Sequence, residues 1–144
     1  MTPEQIEMVR TTFVEVMKIK VQAGRLFYDR LFTIAPETRP LFKGDIDVQG
    51  RKLMDTLAHA IGALKNGPAL SAMLEGLGQR HAGYGVKDEH YDKVGEALLW
   101  TLEKGLGDAF TADVKGAWAA LYGAVATTMK KAAAGQAARL AASA

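Results

Sequence analysis

Apolar residues recur at helical spacing along nearly the whole chain, and no stretch alternates β-branched with polar residues between turn signals. That period predicts an all-α protein. Ile6, Val9, Phe13 and Val16 form one stripe of a first helix. Thr2 with Gln5 makes a capping box, and Pro3 suits the first helical position. A second helix is expected over about residues 21–34, with Gly24, Phe27 and Leu31 on one side and Tyr28 adjacent, until Pro36 and Pro40 break it. Phe42 to Val48 reads as a loop. The next helix, about residues 48–65, turns Met54, Leu57, Ile61 and Leu64 inward.

Asn66-Gly67-Pro68 is a stop signal, followed by a short helix in which Leu70, Leu74, Leu77 and His81 share a stripe and which Gly83 and Gly85 close. A long helix over about residues 89–106 follows, inward through Tyr91, Val94, Leu98 and Leu102. Thr111 can cap the last helix, where Val114, Trp118, Leu121, Val125 and Met129 keep the period. Beyond Met129 the pattern decays into Ala132-Ala133-Ala134-Gly135-Gln136, which favours helix but buries little. The expectation is one domain over residues 1–133 and a frayed alanine-rich tail over residues 134–144.

Composition narrows the chemistry. The 144 residues suffice for one buried core. A net charge of +2, with Lys and Arg scattered, gives no stripe for nucleic acid. The absence of cysteine excludes disulfides, thiolate zinc sites, iron–sulfur clusters and thiol nucleophiles, so a metal would need His, Asp, Glu, Met or Tyr. No apolar run approaches the ~20 residues of a membrane span. Met1-Thr2-Pro3-Glu4-Gln5 is unlike a secretory signal, which makes the cytoplasm the expected location and a membrane partner unexpected.

Three histidines are the natural ligands to weigh. His59 shares a polar face with Lys52 and Asp55 and reads as a solvated residue paired with the carboxylate four positions earlier. His90 lies in the charged helix start Lys87-Asp88-Glu89-His90 and reads as exposed. His81 sits among leucines, where both ring nitrogens need partners. Spacing alone allows a satisfied core histidine or a metal ligand there.

Leu77-Gly78-Gln79-Arg80-His81-Ala82-Gly83-Tyr84-Gly85-Val86 resembles the proximal histidine segment of bacterial haemoglobins and neuroglobin-type globins. Pro40-Leu41-Phe42 resembles the globin corner whose phenylalanine packs on the porphyrin. Arg51-Lys52-Leu53-Met54, His90-Tyr91-Asp92-Lys93-Val94-Gly95 and Ala117-Trp118-Ala119-Ala120-Leu121-Tyr122-Gly123 are similar to single-domain globins of the Hell's Gate type. The similarity runs in order from about Glu4 to Met129.

The resemblance implies a globin fold, helices A to H arranged three over three around a haem pocket, with haem b held by His81 as iron ligand. It places Tyr28, Gln49 and Leu53 on the gas-binding side, with Phe42 as a further wall. Lys52, Arg80 and His90 become candidates for the propionates, and Leu77, Tyr84, Val86 and Tyr91 for the remaining lining. His81 Nδ1–H is expected to donate to a carbonyl or a neighbouring side chain, leaving Nε2 for iron.

Two positions depart from the related patterns. Gln49 replaces the distal histidine of many globins. Ala133 falls near the place of a glutamate that, in bacterial haemoglobins, joins a tyrosine matched here by Tyr91. The implied function is reversible oxygen binding for storage, transport or scavenging, with carbon monoxide and nitric oxide as further ligands. One alternative is a nitric oxide dioxygenase served by a separate reductase, since the 144 residues hold no flavin or nicotinamide domain. Another is gas or redox sensing.

Overall fold

The computed structural model describes residues 1–143. Six α-helices follow in order: α1 (Pro3–Met17), α2 (Lys20–Ile34), α3 (Ile46–Gly62), α4 (Gly67–Gly83), α5 (Asp88–Leu106) and α6 (Ala112–Ser143). Short 3-10 helices occupy Pro36–Leu41 and Gly107–Ala109. No strand occurs among the described residues.

The caps explain most boundaries. Thr2 and Gln5 form the reciprocal capping box, at 3.1 and 2.9 Å. Asp45 caps α3 through Asp47 N–H at 2.8 Å, so that helix starts before the expected position 48. Asn66 caps α4 by accepting from Ala69 N–H at 3.2 Å. With Pro68 in its first turn, α4 extends over 17 residues rather than forming a short helix. Thr111 accepts from Val114 N–H at 3.2 Å at the start of α6.

Between α2 and α3, the prolines do more than interrupt. Pro36 starts a 3-10 turn that Pro40 tolerates, and this corner carries Phe42 to the edge of the core. The segment from Phe42 to Asp45 holds no helix.

Helices α4 and α6 pack on each other, α2 crosses α3 and α5, and α1 lies on α6. Trp118, Leu31, Leu102 and Val9 are fully buried at the centre. Trp118 donates its indole N–H to Thr12 Oγ1 at 2.9 Å, satisfying the one polar atom that ring carries.

At the α2–α3 crossing two glycines face each other. A Cβ on Gly24 would lie 3.0 Å from Gly50 Cα, and one on Gly50 would lie 3.2 Å from Gly24 Cα. The backbones touch, which places Tyr28, one turn past Gly24, near Gln49 and Leu53, which flank Gly50.

Helix α6 runs on as helix through Ser143, past the point where the apolar stripe ends at Met129. Alanine propensity accounts for those turns. Ala144, the last residue of the expected tail, lies outside the described residues.

Candidate functional site

The helices enclose an apolar cavity of about 370 Å³, within the ~300–1,000 Å³ usual for ligand sites. The crossing of α2 and α3 supplies Tyr28, Gln49, Lys52 and Leu53 to its lining, and the 3-10 corner supplies Phe42. Helix α4 and the corner after it supply Leu77, Arg80, His81, Tyr84 and Val86, and α5 supplies His90 and Tyr91. Every site residue expected from the sequence therefore lines one cavity.

His81 is half-buried, and its Nδ1 lies 2.7 Å from the Leu77 carbonyl oxygen. A carbonyl only accepts, so Nδ1 carries the proton and Nε2 keeps its lone pair. Burial holds the imidazole below its usual pKa, with Arg80 adding to the effect and the Leu77 bond opposing it. The ring is neutral at neutral pH, the form that ligates a metal. Tyr84, itself 61% exposed, covers His81 with ring centroids 5.7 Å apart.

The Tyr28 hydroxyl is pushed up to about 12 by burial, with the Gln49 side chain pulling the other way. It remains a protonated donor across the working pH range. Its ring packs on Phe27, Phe42 and Phe32 at centroid distances of 4.9, 5.1 and 5.8 Å. Phe42 and Leu53 are partly buried and extend this apolar surround.

Two histidines differ from expectation. His90 is only 8% exposed: its Nδ1 accepts from Lys87 N–H at 3.0 Å, a hydrogen bond that draws the ring onto the start of α5 and against the cavity. His59 is exposed, but Asp55 is held by Lys20 of α2 at 2.6 Å rather than by His59. A long-range cation reaches that carboxylate, which spacing within one helix could not reveal.

Tyr91 is buried, and its hydroxyl is the buried side-chain polar atom that finds no hydrogen-bond partner among the described residues. Lys130 Nζ lies 5.7 Å from the centre of its ring. Sequence reasoning did not single out Tyr122, Thr38 or Thr56 as cavity residues. Tyr122 donates to the Tyr91 carbonyl at 2.5 Å and rests on Gly95. A glycine within a helix was the available signal, since it costs about 1 kcal/mol against alanine unless something approaches closely.

The lining fits a haem. The walls are apolar enough for a macrocycle, one neutral imidazole has a free Nε2, and the exposed cations Lys52 and Arg80 suit two carboxylates at the rim. No cluster of three or more His, Cys, Asp or Glu side chains among the described residues offers a different metal centre.

Fold and site together define an α-helical domain built around an enclosed ligand cavity with one histidine free to ligate. The family model for globins matches residues 25–129. Neuroglobins of Chaenocephalus aceratus and Dissostichus mawsoni are each 30% identical over 139 aligned residues, covering 87% of this chain and 87% of their own lengths. A flavohemoprotein of Rhizobium meliloti (strain 1021) is 38% identical over 104 residues, covering 69% of this chain and 26% of its own length. The chain belongs to the globin family. Globins bind haem and, through it, small gases. No helix among the described residues is long and apolar enough to cross a membrane.

Proposed function

We propose that this protein holds haem b through His81 and binds oxygen reversibly, acting in storage, transport or scavenging in the cytoplasm. The carrying observation is His81, whose Nδ1 is committed to Leu77 and whose Nε2 is free in a cavity shared with Tyr28 and Gln49. The absence of cysteine favours a haem held without thioether links. When held by His81, haem would supply the iron that takes a diatomic gas.

The chain's residues account for selectivity. Tyr28 O–H and the Gln49 amide donate toward the gas. A hydrogen bond to a charged acceptor contributes about 1.5–3 kcal/mol, roughly tenfold to over a hundredfold in affinity. Oxygen, which polarises strongly on binding, gains from these donors; carbon monoxide gains little. Phe42 and Leu53 exclude water and thereby slow oxidation. Lys52, Arg80 and His90 hold the propionates.

An absorption spectrum of the haem-loaded protein tests this reading. The wild type should give a Soret band that shifts with oxygen and carbon monoxide. His81→Ala should alter that band, and added imidazole should restore it. A spectrum indifferent to His81→Ala would refute the assignment.

The likeness to a flavohemoprotein favours one second reading, nitric oxide dioxygenation with electrons from a separate reductase. Repeated consumption of nitric oxide by the oxygenated protein with a reductase present would support it. A single stoichiometric oxidation would exclude it.

A further inference from the structure

We infer that Arg39, an exposed residue of the 3-10 corner, is a positioning residue that fixes the hydrogen-bonding direction of Tyr28 through Phe42 and Phe32. The inference rests on the proposed donor role of Tyr28. It begins from the covalent neighbourhood of Phe42. The last turn of the Pro36–Leu41 helix is closed by Phe42 N–H donating to the Arg39 carbonyl at 3.1 Å. The Arg39 side chain then folds over the same residue and donates from Nη1 to the Phe42 carbonyl at 2.8 Å. Phe42 is thus tied to Arg39 by its N–H and its C=O together. Its second tie is charge-assisted and about twice as strong as a neutral one.

The same guanidinium reaches back to α2, where its carbon stands 5.1 Å from the centre of the Phe32 ring. Arg39 therefore couples the end of the corner to α2 through its side chain. The rings of these two residues are in mutual contact. Phe32 meets Phe42 edge-on at 5.7 Å, and Tyr28 meets Phe42 edge-on at 5.1 Å and Phe32 at 5.8 Å. Tyr28 is one turn before Phe32 on α2 and is 3% exposed.

A buried phenol wedged between two rings displaces its hydroxyl oxygen only if one of them moves. One cation outside the core faces the Phe32 ring and holds Phe42 by its backbone carbonyl. Lysine would keep the charge over Phe32, but it lacks the planar fork that serves the Phe42 carbonyl and the ring at once.

The test is a double-mutant cycle on the haem-loaded protein, measuring the oxygen dissociation rate, the stretching frequency of bound carbon monoxide and the melting temperature. Tyr28→Phe should raise the oxygen rate by about tenfold or more, as the loss of its hydrogen bond requires. Arg39→Ala should raise it by about three- to tenfold, a fraction of that loss. It should also broaden or shift the carbon monoxide stretch, with Arg39→Lys intermediate. In the Tyr28→Phe background Arg39→Ala should change nothing further.

If Tyr28→Phe acts and Arg39→Ala does not, the positioning role is wrong and the donor reading stands. Equal effects of Arg39→Ala in both backgrounds, or a fall in melting temperature with no change in the stretch, would also overturn it, because Arg39 would then act through general stability. If Tyr28→Phe itself has no effect, the donor reading fails first.

Discussion

His81 shows how one side chain's surroundings choose its chemistry. Burial desolvates the ring and favours the neutral ligating form, while a carbonyl one turn back fixes the tautomer even though its hydrogen bond favours the charged ring. The same physics makes stability depend on pH. Because burial lowers the folded-state pKa below the ordinary 6.5, the unfolded chain takes up the proton first as pH falls through that value. Below about 6.5 the haem-free protein should lose stability to acid, until the folded ring also titrates. Urea unfolding at about pH 7.5 and about pH 5.5, on either side of that value, should show the loss, and His81→Gln should make it smaller. Equal pH dependence in the two proteins would rule out His81 as its source.

Helices meet here where side chains are absent. At Gly24 and Gly50 the contact is backbone on backbone, so the tolerance is a few tenths of an ångström. Gly24→Val should overpack the crossing and cost about 1–3 kcal/mol, with oxygen released faster as Tyr28 and Gln49 separate. At Gly116 of α6 a Cβ would meet no atom of the described residues within 4 Å, so Gly116→Ala should instead add about 0.5–1 kcal/mol. Urea midpoints for both variants decide whether contact or propensity governs. Another close approach occurs at Gly78 of α4, where a Cβ would fall 2.8 Å from Met129 Cα. The α4–α6 contact that carries His81 thus depends on a missing side chain as well. The boundaries of these helices were largely legible, because Thr2, Asn66, Thr111 and the prolines act on residues within one turn. The early start of α3 was not, since Asp45 sits in a stretch whose apolar spacing looks like a loop.

For the molecule as a whole, the cavity couples cofactor to fold. A ligand that binds only the folded state adds stability in proportion to the logarithm of its concentration over its Kd. Hydrogen exchange on haem-free and loaded protein should show slower exchange in α3 and α4 on loading. Residues 134–143 should exchange quickly in both states, since the alanine-rich turns bury little. Protection of that segment equal to that of the core would contradict the frayed tail.

Alone, the sequence determined the all-helical class, the caps at Thr2 and Thr111 and the placement of His81 on an apolar stripe, because those depend on spacing within a few residues. Tertiary structure decided the rest. The meeting of Tyr28 with Gln49, the burial of His90, the capture of Asp55 by Lys20 and the reach of Arg39 to Phe32 all join separate helices or turns. Such contacts depend on how closely backbones approach, which local periodicity does not encode.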